Sequence, residues 1–240
     1  MVRSIYRDIY RELSERIESG TYAFQTQIPT EGALCARFSC SHSTVRRALQ
    51  ELARAGYVQA RQGSGVTVIW QPTPQDANGY ATGGIEIFPE VCAERGLAPA
   101  TELLNFETLV ANEQLASTTG LPKGAEVVHM RRLRLADGKP VALEETHTLA
   151  SEVPDITPQI ALTGTYAYIE QTLGIKIATS KRRISMSLAS NDVANLLHVS
   201  EKSYVACIES NTFDASGKMF EHIKTYQHPD FFSVSIIATR

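Results

Sequence analysis

The chain has 240 residues, 43% hydrophobic and 20% charged, with a formal net charge of -3. That length suffices for two ordinary domains, and the composition excludes a disordered, collagen-like or disulfide-framed chain. No apolar run approaches the ~18 residues of a membrane span, and the opening Met1-Val2-Arg3-Ser4 lacks a signal-like apolar stretch. The expectation is a soluble cytoplasmic protein without a membrane partner, its four cysteines (Cys35, Cys40, Cys92, Cys207) present as reduced thiols. Charge divides unevenly: residues 1–70 carry nine Arg and no Lys against six acids, +3, and the remainder fourteen bases against twenty acids, -6. A basic head on an acidic body suits a nucleic-acid-binding head.

In chain order, Ile5, Ile9, Leu13 and Ile17 recur every four residues and predict an amphipathic helix stopped at Gly20. Thr30 is placed to cap a short helix carrying Leu34 and Phe38. Ser41 is placed to cap a third helix with Val45, Ala48, Leu49 and Leu52 on one face and Gly56 at its end. Two strand-like runs, 57–61 and 66–69, flank Gln62-Gly63-Ser64-Gly65, a hairpin with a glycine-rich tip. Three helices and a hairpin make a winged helix-turn-helix. Residues 71–84, rich in Pro and Gly, read as a linker, and residues 85–240 as a second domain of alternating strands and helices.

On the third helix, Ser43, Arg47, Gln50 and Arg54 fall opposite the apolar face, with His42 and Arg46 on its flanks. Arginine grips guanine in a bidentate contact, and hydroxyls anchor phosphates, so this face suits the major groove. The stretches Arg16-Ile17-Glu18-Ser19-Gly20, Ile28-Pro29-Thr30-Glu31, Thr44-Val45-Arg46-Arg47-Ala48-Leu49 and Arg61-Gln62-Gly63-Ser64-Gly65 resemble the DNA-binding domain of the GntR family of bacterial transcription regulators. The resemblance implies DNA contacts from the second helix, the start of the third and the wing tip. The candidates are Thr30, His42, Ser43, Thr44, Arg46, Arg47, Gln62, Gly63 and Ser64. Gly32 and His42 stand where the family usually has arginine, which predicts an atypical operator, weaker binding, or both.

In the body, residues 129–145 read as strand, turn, strand around Asp137-Gly138. Arg132 and Arg134 share one face, either solvated on an exposed edge or neutralised by an anion. A two-residue Asp137-Gly138 turn aligns Glu145 with them, whereas a turn at Ala136-Asp137 with a bulge at Gly138 aligns Glu144. Lys181-Arg182-Arg183 reads as a further basic cluster on a strand, chiefly solvated.

Residues 85–235 resemble the UTRA effector domain of the HutC subfamily of GntR regulators. The stretches that carry this are Phe88 to Gly96-Leu97, Arg132-Leu133-Arg134, Asp137-Gly138-Lys139-Pro140 with Glu144, Gly164-Thr165-Tyr166, and Gly217-Lys218 leading to Glu221. The resemblance implies an α+β fold: a winged helix-turn-helix joined to an antiparallel-sheet effector domain like that of chorismate lyase. It also implies effector contacts from Phe88, Arg132, Arg134, Glu144, Thr165 and Tyr166, with the two arginines and the hydroxyl of the family's Ser-Leu-Tyr motif on a phosphate and the glutamate on sugar hydroxyls. Gly164 replaces a serine, which costs one phosphate contact unless Thr163 or Thr165 supplies it. Gln227-His228-Pro229-Asp230 replaces a Tyr-Arg-Gly-Asp stretch and leaves the effector class open.

The six histidines are scattered, without metal-ligand spacing or a nucleophile motif, so no catalytic residue, metal or cofactor is expected. The expected function is a ligand-responsive regulator, a homodimer on double-stranded operator DNA. As a repressor it would be released by a small anionic metabolite such as a sugar phosphate. The alternative is a DNA-binding regulator whose body only dimerises.

Overall fold

The computed structural model describes residues 5–61, 65–71, 79–81, 85 and 87–235. The chain divides into two compact units, residues 1–77 with 236–240, and residues 78–235.

In the first unit, α1 (Ile5–Glu18), α2 (Glu31–Phe38) and α3 (His42–Arg54) precede the antiparallel hairpin β1 (Val58–Arg61) and β2 (Gly65–Val68). Ile9, Leu13 and Ile17 bury against Leu34, Val45, Leu49 and Leu52, as the period of four requires, while Ile5 at the helix start stays 48% exposed. The caps fall where local chemistry puts them. The Thr30 hydroxyl accepts from the Ala33 amide and the Ser41 hydroxyl from the Thr44 amide. Gly20 and Gly56, both at positive φ, end α1 and α3. The wing tip Gln62-Gly63-Ser64 lies outside the described residues.

The second unit is built on a six-stranded antiparallel sheet in the order β4-β5-β6-β9-β8-β7. Its strands are β4 (Pro99–Val110), β5 (Glu126–Ala136), β6 (Lys139–Leu149), β7 (Ile177–Leu188), β8 (Tyr204–Asp214) and β9 (Met219–Gln227). On one face, α6 (Pro158–Thr163) and α7 (Thr165–Ala167), which runs on into a π-turn over Tyr168–Thr172, close a core of Val128, Met130, Ala161 and Ile169. On the other, α8 (Asn191–Leu197) packs Val193 and Leu197 on Leu133, Leu143 and Val205. Period-two alternation along β5 and β6 supplies both faces with apolar side chains. The short helices α4 (Phe88–Glu94) and α5 (Glu113–Thr119) flank β4. Within the segment read as a linker, Gly79–Ala81 forms β3, which pairs in parallel with β10 (Ser233–Ser235). The rest of that segment, apart from Gln71, lies outside the described residues.

Candidate functional site

Two surfaces gather the residues singled out by the sequence. The first is the exposed start of α3. The Ser41 hydroxyl sits 2.8 Å from that of Ser43 and 3.0 Å from that of Thr44, so the cap also organises the two hydroxyls beside it. Arg46 donates from Nε to Glu31 of α2 at 3.0 Å, and His42 Nδ1 lies 3.6 Å from the same carboxylate oxygen. Both side chains remain about two-thirds exposed. An exposed pair of this kind is worth ~0–1 kcal/mol and is readily exchanged for a phosphate or a base edge. Arg47 lies over the Tyr6 ring at 3.9 Å, which fixes its stem against α1. Gly32 faces open space on α2.

The second surface is a cavity of about 870 Å³ on the α6–α7 side of the sheet, in the upper part of the usual range for ligand sites. Phe88, Arg132, Arg134, Glu144, Thr165 and Tyr166 all line it. The route to Glu144 differs from both sequence alternatives. Ala136 pairs with Lys139, so Asp137-Gly138 is a two-residue turn, both residues at positive φ. That turn alone would align Glu145. A bulge opposite Arg134–Leu135, with Val141 as the extra residue between paired Pro140 and Ala142, shifts the register and puts Glu144 across from Arg132. Because β5 lies between β4 and β6, the exposed-edge alternative for the arginines fails.

The two arginines are unequal. Arg132 is buried, and its four terminal N–H groups are committed. Nη1 donates to the Ala161 carbonyl and the Thr165 hydroxyl, Nη2 to the Thr146 hydroxyl and Glu144 Oε2. Its buried Nε has no partner among the described residues. With its four terminal N–H groups committed to the protein, Arg132 reaches a phosphate only by exchanging one of these bonds. Arg134 gives Nε and one Nη2 hydrogen to Glu144 Oε2, at 2.9 and 2.8 Å, and one Nη1 hydrogen to Thr101 at 2.8 Å, leaving two donors. Its guanidinium lies 5.4 Å from the Phe88 ring centre. Glu144 uses only Oε2 in these bonds, so Oε1 is left to accept from a hydroxyl in the cavity. Burial alone would push the Glu144 carboxyl up, but Arg134 and Arg132 outweigh it and hold the group below its ordinary value.

Tyr166 lines the cavity with its ring, but its hydroxyl donates to Glu221 Oε2 at 2.8 Å and lies 3.3 Å from the Thr212 hydroxyl. In this arrangement the hydroxyl is engaged with the buried Glu221 rather than with the arginines. Burial raises Glu221 to about 7 and pushes Tyr166 well up, Glu221 adding to the latter. Of the two threonines beside Gly164, Thr165 keeps its hydroxyl hydrogen to donate among the described contacts, whereas Thr163 does not. Thr165 already accepts from Arg132, and the Thr163 hydroxyl donates to the Gln159 carbonyl. Gly164 itself sits at φ +150, a conformation that side chains rarely adopt. Gln227 is buried in the cavity floor, while His228 accepts from the Asp230 amide in the turn that follows. Thr101 and Thr146 have no role in the sequence reading, and Glu221 enters it only as part of the resemblance, without a partner. Thr101 and Thr146 stand across from Arg134 and Met130, pairings that only the sheet register reveals.

Among the described residues, no group of three or more His, Cys, Asp or Glu could hold a metal ion, and no helix is long and apolar enough to cross a membrane. A winged helix-turn-helix joined to a sheet unit with a polar, cation-lined cavity is the architecture of a transcription regulator with a sensor module. Residues 5–68 match the gntR family of bacterial regulatory proteins and residues 94–233 match the UTRA domain. The chain belongs to the GntR family and carries a UTRA effector domain; it is a regulator of transcription and not an enzyme. Similar proteins include the mannosyl-D-glycerate transport/metabolism system repressor MngR of Escherichia coli (strain K12), 28% identical over 238 residues, covering 99% of this chain and 97% of that protein. The HTH-type transcriptional repressor NagR of Bacillus subtilis (strain 168) is 28% identical over 232 residues, with 95% and 92% covered. The crystal structure of YydK, a possible transcriptional regulator from Bacillus subtilis, superposes with a TM-score of 0.79 at 20% identity over 98% of this chain and 99% of that one, a likeness of fold.

Proposed function

We propose that the protein is a cytoplasmic, homodimeric repressor that binds double-stranded operator DNA and leaves it when a small anionic, sugar-derived metabolite enters the UTRA cavity. The observation that carries this reading is the half-committed guanidinium of Arg134. It has two donors to spare over an aromatic wall, beside a glutamate with one oxygen free. A phosphate or carboxylate fits the first and a sugar hydroxyl the second. Arg132 acts as the positioning residue that fixes Glu144. The repressors MngR and NagR, similar along nearly their whole length, support the sense of regulation.

DNA recognition is assigned to Arg46, Arg47, Ser43, Thr44 and His42 at the start of α3, to Thr30, and to the wing residues Gln62, Gly63 and Ser64. Two such heads are needed to read two half-sites, and two-fold operator symmetry mirrors that of a homodimer. Effector binding shifts the population away from the operator-competent arrangement by as much as its affinity differs between the two states.

The test is a thermal-shift screen of the full chain against sugar phosphates, sugar acids, inorganic phosphate and uncharged sugars. A ligand present at a thousand times its Kd adds ~4 kcal/mol to stability. A response to anionic sugars that Arg134→Ala removes is the expected result. A response confined to uncharged sugars would refute the anion assignment.

A further inference from the structure

The basic run Lys181-Arg182-Arg183 on β7 does not act as a unit. Strand alternation sends Arg183 to the face where Glu209 pairs with it, while Lys181 lies 5.3 Å from the Phe213 ring centre. Arg182, with Ile184, points to the other face and lines the same cavity as Arg134. It forms no hydrogen bond or ion pair with any described residue, so all five of its N–H donors are unspent.

Charge and distance both bear on what that means. Among the cavity-lining residues, Arg132, Arg134 and Arg182 face one acid, Glu144, a balance of +2. At the β5 end two arginines share the one acid, which leaves +1; at the β7 end Arg182 has no acid beside it in the lining, which leaves another +1. The sheet register fixes their separation. Arg134 shares a row with Ala142, Gln227, Ala206 and Met186, whereas Arg182 shares one with Ser210, Ile223 and Thr146. The two arginines thus stand four strand spacings and four residues apart, which is roughly 19 Å across the sheet and about 13 Å along it. With each side chain reaching ~7 Å inward, roughly 9 Å is left between the two guanidinium groups, a gap that one ligand can bridge end to end.

We propose that Arg182 is a second anion contact of the effector site, and that the effector carries an anionic group at each of two opposite ends. This rests on the anion-sensor reading above and adds to it the second charge. Ser210, buried in the floor beside Arg182, and Thr225, further along it, supply hydroxyls for the middle of such a ligand.

The experiment is calorimetric titration of the full-length protein with three probes. Glucose 6-phosphate offers one ring and one anion, and trehalose 6-phosphate two rings and one anion. An unsaturated uronate–N-acetylglucosamine 6-sulfate disaccharide offers two rings with an anion on each. The wild type is expected to prefer the third probe at least tenfold over the second. Arg182→Ala should abolish that preference without changing the melting temperature, Arg182→Lys should retain part of it, and Arg134→Ala should weaken all three. If Arg182→Ala leaves the third probe's affinity unchanged, or if the wild type shows no preference for it, the inference is overturned. The anion-sensor reading survives either result so long as Arg134→Ala still weakens binding. A wild type that binds none of the probes overturns both.

Discussion

Arg132 and Arg134 stand two positions apart on β5 with the same charge, yet removing them should have opposite signatures. Truncating Arg132 strips Glu144, Thr146, Thr165 and the Ala161 carbonyl of a buried partner at once. Glu144 keeps Arg134, but each buried acceptor left without a partner costs ~1–3 kcal/mol, so with Thr146, Thr165 and the Ala161 carbonyl stranded together Arg132→Ala should lower the thermal midpoint sharply. Arg134→Ala leaves Glu144 paired with Arg132, so stability should change by only ~1 kcal/mol while the response to effector is lost. Equal destabilisation of the two variants would contradict the division of labour. Glu221 offers a second test, through pH. Its folded value of about 7 lies above the ordinary 4.5, so the stability it contributes is present below 4.5 and lost as pH rises through 7. Glu221→Gln keeps an acceptor for Tyr166 without a charge to bury. Its stability relative to wild type should therefore rise between pH 5 and pH 8, read by chemical denaturation. His147, which burial lowers to about 4, acts in the opposite direction over pH 4 to 6.5 and is common to both proteins.

At the scale of elements, α2 and the start of α3 present fewer cations than the family pattern implies. Gly32 is exposed with open space around it, so Gly32→Arg is sterically free apart from the side chain's own entropy. Combined with His42→Arg it should tighten operator binding and steepen the salt dependence, each new phosphate contact adding about 0.9 to the slope of log K against log salt. An unchanged slope would place these positions off the DNA. The elements of the first unit were legible because their determinants are local. Thr30, Ser41, Gly20 and Gly56 cap or stop helices by contacts within a few residues, and the period of four around Leu13 needs no tertiary knowledge. In the second unit the arginine pair was legible by alternation, whereas its chemistry was not. Which glutamate faces Arg132 depends on a one-residue bulge at Val141 that no pattern announces. The Tyr166 hydroxyl is claimed by Glu221, 55 positions away in sequence, across a sheet whose order is not the order of the chain.

For the whole molecule, the proposal requires two heads and a route between the units. Sedimentation at micromolar concentration should find a dimer, and a monomer that still binds a palindromic operator tightly would refute the symmetric arrangement. The chain between the wing and β3 is the covalent connection from cavity unit to DNA-binding unit. Deleting three residues within 72–78 should leave effector affinity and operator affinity near their wild-type values while abolishing the coupling of 1–3 kcal/mol typical of such systems. Retained induction would show that the signal takes another path.

β7 is an edge strand, hydrogen-bonded to β8 alone, and Arg182, Ile184, Met186 and Leu188 along it are exposed. Substitutions there disturb little of the core, whereas the Arg132 cluster tolerates almost none. The molecule therefore separates what must stay constant from what can drift. Arg182 and Ile184 are the members of this exposed row that line the cavity, so the β7 wall is where its lining can change at least cost to the buried core. A sensor arranged this way diverges among metabolites by changes along one strand, and the same strand is where a designer retuning it would begin.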